Sequence, residues 1–221
     1  MHITPAVIAE VERKYGHPRE ISLDFEMQER EFRLLERARS GGRVHDVTLF
    51  IFKGVAHGAR SSHIAGMKRA RRSSAIGRRS SLFEGVHIAV IRKHAYPPGI
   101  FRPPSGGIHP GESFEAGARR EAYEETGLHI ELHRYLLRAR VSFVWRGERA
   151  DWTSHVFAAH HLGGDIHPVD RGEIAEAFWV SVDELKASTA RLRATPLGGL
   201  HYRAALNEQV LSLYEKGCED A

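Results

Sequence analysis

Cysteine is almost absent from this chain: Cys218 is the only one among 221 residues. No intrachain disulfide can form, and Cys218 sits in a polar tail unsuited to catalysis. No run of eighteen consecutive apolar residues occurs, so a membrane-spanning helix is not expected. The opening residues, MHITPAVIAEVERKYG, lack the basic-then-apolar order of an export signal. These absences favour a cytoplasmic protein with no membrane partner. Acid is missing from one long stretch. Between Lys53 and Arg79 stand eight Lys or Arg residues and no Asp or Glu. Removing those eight from the net charge of +4 leaves −4 on the rest. The run SSHIAGMKRARRSSAIGRRSS is rich in Ser and Gly, the composition of a solvated insertion. Its functional alternative is an arm that attracts phosphates. No aromatic residue interrupts it before Phe83, so base stacking is not supported.

Hydrophobic residues make up 42%, ordinary for a globular chain long enough to bury a full core. Periodicity predicts mixed α and β structure. Val7, Ile8, Val11 and Tyr15 form a helical stripe, and Ile21, Leu23, Phe25 and Met27 alternate as a strand does. Glu29 to Arg39 reads as a short charged helix ending at Gly41-Gly42. Strands are expected at Val47–Phe52 and Val86–Arg92, on either side of the basic insertion. AYPPGIFRPPSGG is a proline-rich loop with at most a short strand. Leu136–Trp145 and Trp152–His161 suggest a long antiparallel hairpin turning near Gly147. A short strand at Ala177–Val180 precedes a helix starting at Val182. Leu206, Val210, Leu213 and Tyr214 mark a terminal helix.

The densest chemistry lies in GGIHPGESFEAGARREAYEETGL, from Gly106 to Leu128. Ser113 is a plausible helix N-cap and Gly127 a plausible left-handed terminator. Glu121 and Glu125 are i and i+4, so they share a helix face, and Glu124 flanks them. Three carboxylates so close repel one another unless a hard divalent cation binds them. Arg120 reaches Glu124 at i+4 and can orient it without binding metal. Glu112, near the positive end of the helix dipole, can brace Arg120.

This stretch resembles the Nudix hydrolase signature: Gly, five residues, Glu, seven residues, Arg-Glu, an apolar residue, any residue, Glu-Glu, any residue, Gly, an apolar residue. Gly106, Glu112, Arg120, Glu121, Glu124, Glu125, Gly127 and Leu128 meet it, with Ala122 at the inner apolar position. The resemblance implies an α/β/α sandwich with a mixed sheet, plus a short N-terminal extension and a C-terminal helix. It places the extension at residues 1–43, the hydrolase domain at 44–195 with a basic insertion at about 54–82, and the helix and tail at 196–221. It also implies Mg²⁺-dependent hydrolysis of a nucleoside diphosphate derivative, with Mn²⁺ as the substitute ion. Glu121 and Glu125 would be the main metal ligands, Glu124 a further one, and the Ser105 carbonyl another. Arg120 and Glu112 would be orienting partners, and the Gly106-Gly107 turn would lie against substrate. The remaining acid falls outside the signature, with Glu173 and Glu176 as the candidates and Glu148, in the hairpin turn, as a weaker third. Arg92, Lys93 and Arg102 precede the signature and could bind substrate phosphate, Arg102 above all because Pro103-Pro104 stiffens its backbone.

The expected substrate is a nucleotide sugar or a nucleoside triphosphate. RNA-end processing is the alternative, supported here only by the basic insertion, so nucleic acid is a secondary partner class. A non-catalytic nucleotide sensor is the third reading, disfavoured by the complete carboxylate set. Any assembly is expected to be a homodimer. The fifteen histidines are expected as packed or solvent-facing residues, since His155, His160 and His161 lack the acidic or Cys partners of a zinc site.

Overall fold

A computed structural model describes residues 3–54, 85–109 and 111–216. The basic insertion, apart from Gly54, lies outside the described residues. The chain forms α1 (Pro5–Tyr15), β1 (Arg19–Glu26), α2 (Glu29–Ser40), β2 (His45–Lys53), β3 (His87–Lys93), β4 (Ser105–Gly106), α3 (Phe114–Thr126), β5 (His129–Trp145), β6 (Glu148–Gly163), β7 (Ile174–Ser181), α4 (Val182–Arg193) and α5 (Gly198–Lys216). One seven-stranded sheet runs β1-β5-β6-β2-β3-β7, with β4 added alongside β2. It is mixed: β1 is parallel to β5 and β2 to β6, while the β5–β6 and β3–β7 pairs are antiparallel.

Side-chain alternation along the strands gives the sheet two apolar faces. Val47, Leu49, Ile51 and Ala89 face α1 and α3, packing with Val11, Phe114, Ala118 and Ala122. Phe50, Ile88, Val90, Val156 and Ala158 face the other way, against Phe32 of α2, Leu185 of α4, and Leu206 and Val210 of α5. The result is a mixed α/β fold with helices on both faces of the sheet. The first 43 residues contribute β1, paired with β5 from Arg19↔Leu137 to Glu26↔Val144.

The hairpin is longer than its alternation suggests. β5 begins at His129 rather than Leu136, because register shifts near Ile130, Leu132 and Tyr135 break the strict period of two. Its two-residue turn is Arg146-Gly147, both at positive φ (46° and 85°), as a primed hairpin turn requires. β7 likewise starts at Ile174, three residues before the expected Ala177.

The sheet opens where the site lies. β2 and β3 pair only at Phe52↔Ile88 and Lys53↔His87. Beyond that the proline-rich loop fills the gap. Arg102 bridges Ile91 of β3 through two backbone bonds, of 2.8 and 3.1 Å. β4 pairs with β2 at Thr48↔Ser105 and Val47↔Gly106. Prolines 103 and 104 fit here because the Pro104 carbonyl can still accept from Leu49 N–H (2.9 Å) although its nitrogen donates nothing.

Candidate active site

Helix α3 has the termini its sequence dictates. Ser113 accepts from Ala116 N–H at 3.1 Å, capping the start. Gly127 adopts φ 70° and donates to the Tyr123 carbonyl at 2.7 Å, closing the end. Small residues on the inner face, Gly117, Ala118 and Ala122, are buried and bring the helix close to the sheet. The modest Ala122 in the motif is thus a packing requirement.

The loop following β6 docks on the far end of α3. The Glu124 carbonyl accepts from Val169 and Asp170 N–H at 3.0 and 2.8 Å, and the Thr126 carbonyl from His167 N–H at 3.0 Å. Carbonyls that a helix end leaves without partners are satisfied by this loop. That docking carries Asp170 and Glu173 to the site.

A cleft of about 280 Å³ lies between α3, the opened sheet and this loop. Glu121 and Glu125 form part of its lining, although only 9% and 5% exposed. Gly106 makes room for Glu121, since a Cβ there would stand 1.9 Å from its carboxyl carbon. Glu125 accepts from Ser105 N–H at 2.7 Å and lies 3.6 Å from the Arg102 guanidinium. Burial pushes both carboxyls upward in pKa. Arg120 opposes this at Glu121, and Arg102 opposes it at Glu125.

Arg120 is the hub of the motif. It donates to Glu112 through Nε (2.7 Å) and Nη2 (3.0 Å), to Glu121 and Glu124 through Nη1 (2.9 Å each), and to the Gly107 carbonyl (2.7 Å). The planar fork serves four acceptors at once, which an ammonium could not do. Glu112 also accepts from His109 N–H at 2.8 Å. These bonds, Arg120 foremost, hold its pKa at about 2 against an ordinary 4.5. The stability this carboxylate supplies is complete above pH 4.5 and is lost as pH falls toward 2. Glu112→Gln should therefore flatten the acid side of a Tm-versus-pH curve. An unchanged acid side in the variant would contradict the assignment.

The other expected site residues divide. Glu173 lines the cleft and binds Lys93. Burial raises its pKa, but the Lys93 hydrogen bond and charge outweigh this and leave it lowered. Glu176 and Arg92, expected near substrate, do not line the cleft and pair with each other at 2.9 Å. Strand alternation explains this: Arg92 shares the face of Ile88 and Val90, so the adjacent Lys93 points to the site. Arg102 is only 2% exposed and turns inward. It lines the cleft and donates to the Pro103 carbonyl (2.8 Å), Ser105 Oγ (2.9 Å) and Tyr96 OH (3.2 Å), bonds that also brace Ser105 beside Glu125.

Four cleft residues escaped sequence reasoning. Arg43 comes from the connection leading into β2, Asp46 from β2 itself, Arg203 from α5, and Asp170 from the docked loop. Only Asp170 carried a local signal. In Asp-Arg-Gly its Oδ1 accepts from Gly172 and Glu173 N–H, the habit of an Asx turn. His155 is fully buried between His45, Phe114 and Tyr135, a packed histidine as expected.

The NUDIX domain family model matches residues 81–197, more than half of the chain. The chain belongs to the Nudix family. It is similar to the NAD-capped RNA hydrolase NudC of Chromobacterium violaceum, 32% identical over 101 residues, covering 46% of this chain and 36% of that one. It is also similar to the putative mutator protein MutT4 of Mycobacterium tuberculosis, 38% identical over 87 residues, covering 39% and 35%. The match thus spans about a third of these relatives' lengths. Among solved structures, a UDP-X diphosphatase aligns over 86% of this chain and 71% of its own, at 16% identity and a TM-score of 0.44. A MutT NUDIX hydrolase from Burkholderia pseudomallei aligns over 76% and 97%, at 22% identity and a TM-score of 0.43.

Nudix hydrolases generally use divalent metals. The donor set of this site is all oxygen, and its two buried carboxylates sit where burial disfavours their charge, so it suits a hard divalent cation. Among the described residues no group of three or more His, Cys, Asp or Glu side chains is already arranged as a metal cage. Arg120 holds Glu121 and Glu124 instead. No helix among the described residues is long and apolar enough to cross a membrane.

Proposed function

We propose that this Nudix chain hydrolyses a diphosphate linkage in a nucleoside diphosphate derivative, of the nucleotide-sugar or nucleoside triphosphate type. The carrying observation is the pair of buried carboxylates, Glu121 and Glu125, in a cleft that also bears Arg43, Lys93, Arg102, Arg120 and Arg203. Buried anions suit a cation, and surrounding cations suit a polyphosphate. A divalent ion, Mg²⁺ with Mn²⁺ as substitute, would be held by Glu121 and Glu125, aided by Glu124 and the Ser105 carbonyl; it would neutralise phosphate charge and acidify water. Arg120 keeps Glu121 and Glu124 oriented, and Ser105 N–H with Arg102 orients Glu125. Glu173, ionised beside Lys93, is positioned in the cleft to take the proton of the attacking water. Arg102 acts as a positioning residue.

RNA-end hydrolysis is the second reading. It is supported by likeness to proteins named for NAD-capped RNA, and by the basic segment outside the described residues. One assay separates the readings: product release from nucleotide sugars, dinucleoside polyphosphates, triphosphates and capped RNA, with Mg²⁺ and with EDTA. Nucleotide-sugar or triphosphate turnover that vanishes in EDTA is expected. Turnover confined to capped RNA would favour the second reading, and undiminished turnover in EDTA would overturn the metal assignment. Nucleotide binding with no turnover of any substrate would indicate a sensor.

A further inference from the structure

Two of the cleft's cations lie outside residues 81–197, the segment the family model covers. Arg43 stands in the connection between α2 and β2, and Arg203 on α5. Their settings are complementary. Arg43 is exposed, and its guanidinium makes no hydrogen bond or ion pair among the described residues. It lies over the motif's second glycine so closely that a Cβ on Gly107 would come within 2.3 Å of Nε. A flexible arginine is thereby seated against backbone at the mouth of the site.

Arg203 is fixed instead of free. It donates to Thr48 Oγ1 at 3.0 Å and to Asp46 Oδ2 at 3.1 Å, and it stacks on the Tyr202 ring at 4.8 Å. Asp46 is itself buried and bonded to Ser154. The Arg203 bonds use one N–H on each of Nη1 and Nη2, which leaves Nε–H and one N–H on each Nη as further donors. Both arginines line the cleft together with Glu121 and Glu125.

We propose that Arg43 and Arg203 form a two-armed clamp for the phosphoryl group of the substrate that is remote from the attacked phosphorus. One arm is pre-set by Asp46 and Thr48, and the other is recruited on binding. The clamp rests on the diphosphate reading above. It gives the segment before β2 and helix α5 a share in substrate selection. Two arginines presenting donors to tetrahedral oxyanions match phosphate better than a neutral sugar or base.

The test is calorimetric titration of the full chain with the non-hydrolysable α,β-methylene-ADP, in EDTA so that no metal contributes. Arg43→Met and Arg203→Lys are each expected to weaken binding by about tenfold or more, the worth of one lost charge-assisted contact. Arg203→Lys keeps the charge but loses the fork, and circular dichroism checks its fold. Arg19→Met removes an exposed arginine outside the cleft and is expected to bind as the parent does. Binding by Arg43→Met within twofold of the parent overturns the clamp, as does equal weakening by Arg19→Met. Absence of parental binding overturns it too. If the parent hydrolyses diphosphates while Arg43→Met binds normally, only the clamp fails. If the clamp variants weaken binding but the parent hydrolyses nothing, only the hydrolase reading fails.

Discussion

Replacing Glu125 with glutamine is expected to lower turnover by about two to three orders of magnitude without loss of stability. The two halves of this result have one cause. Glu125 is 5% exposed, and burial pushes its carboxyl upward in pKa despite Arg102 and the Ser105 N–H. A carboxyl raised above its unfolded value is easiest to fold when protonated. Its stabilising share is present at low pH and is lost as pH rises through the folded pKa. At neutral pH the buried carboxyl therefore costs stability, which an isosteric amide avoids. Glutamine can still accept from Ser105 N–H, but it brings no charge to a cation or a phosphate. The expected signature is a Tm equal to or above the parent's at pH 7, with the difference vanishing in acid. Activity traded against stability in this way is typical of functional groups held in unfavourable surroundings. Near-normal turnover in well-folded variant protein would remove Glu125 from the site. A collapsed Tm would show that the carboxylate is structural.

Arg120→Met should have the opposite character. Arg120 joins Glu112, Glu121, Glu124 and the Gly107 carbonyl. Its own pKa is raised by these partners, the Glu112 hydrogen bond foremost. Removing it leaves three carboxylates facing one another with no cation between them. Breaking such a network by deleting one partner costs about 3 kcal/mol, less than a fully dry pair because the site is partly open to water. Turnover should also fall about a hundredfold, since Glu121 and Glu124 lose the group that orients them. Urea denaturation gives the first number and steady-state kinetics the second. High salt should restore part of the lost stability by screening the repulsion. Arg120→Lys should fall between parent and Arg120→Met, because one ammonium cannot serve four acceptors. A stability change below about 1 kcal/mol in Arg120→Met would mean that the network orients the carboxylates without holding the helix.

Some of the site was legible in the residues alone. Helix α3 announced both ends, through Ser113 and Gly127, and its i, i+4 spacing placed Glu121 and Glu125 on one face. The Arg120 bonds to Glu112 and Glu124 follow from spacings of eight and four residues across a turn and a helix. The rest was not legible, because its geometry is not local. Arg92 and Lys93 are neighbours in sequence, but only the direction of the strand decides which one faces the cleft. The sequence marks Arg102 as a cation beside the motif, but not that its guanidinium is buried and bonded to the Pro103 carbonyl and Ser105 Oγ. Glu173 and Glu176 looked equivalent until the start of β7 separated them.

By itself the sequence determined the carboxylate helix, its caps and its orienting arginine. These depend on neighbours within about twenty residues, whose relative positions backbone geometry sets. Only the tertiary structure decided that Arg43, Asp46, Asp170 and Arg203 share that cleft. They arrive from an inter-element connection, a strand, a docked loop and the last helix. They meet because β2 and β3 part after two residue pairs and leave a gap that distant segments must fill. No periodicity or motif encodes such a meeting, since it is fixed by which strands pair and where that pairing stops.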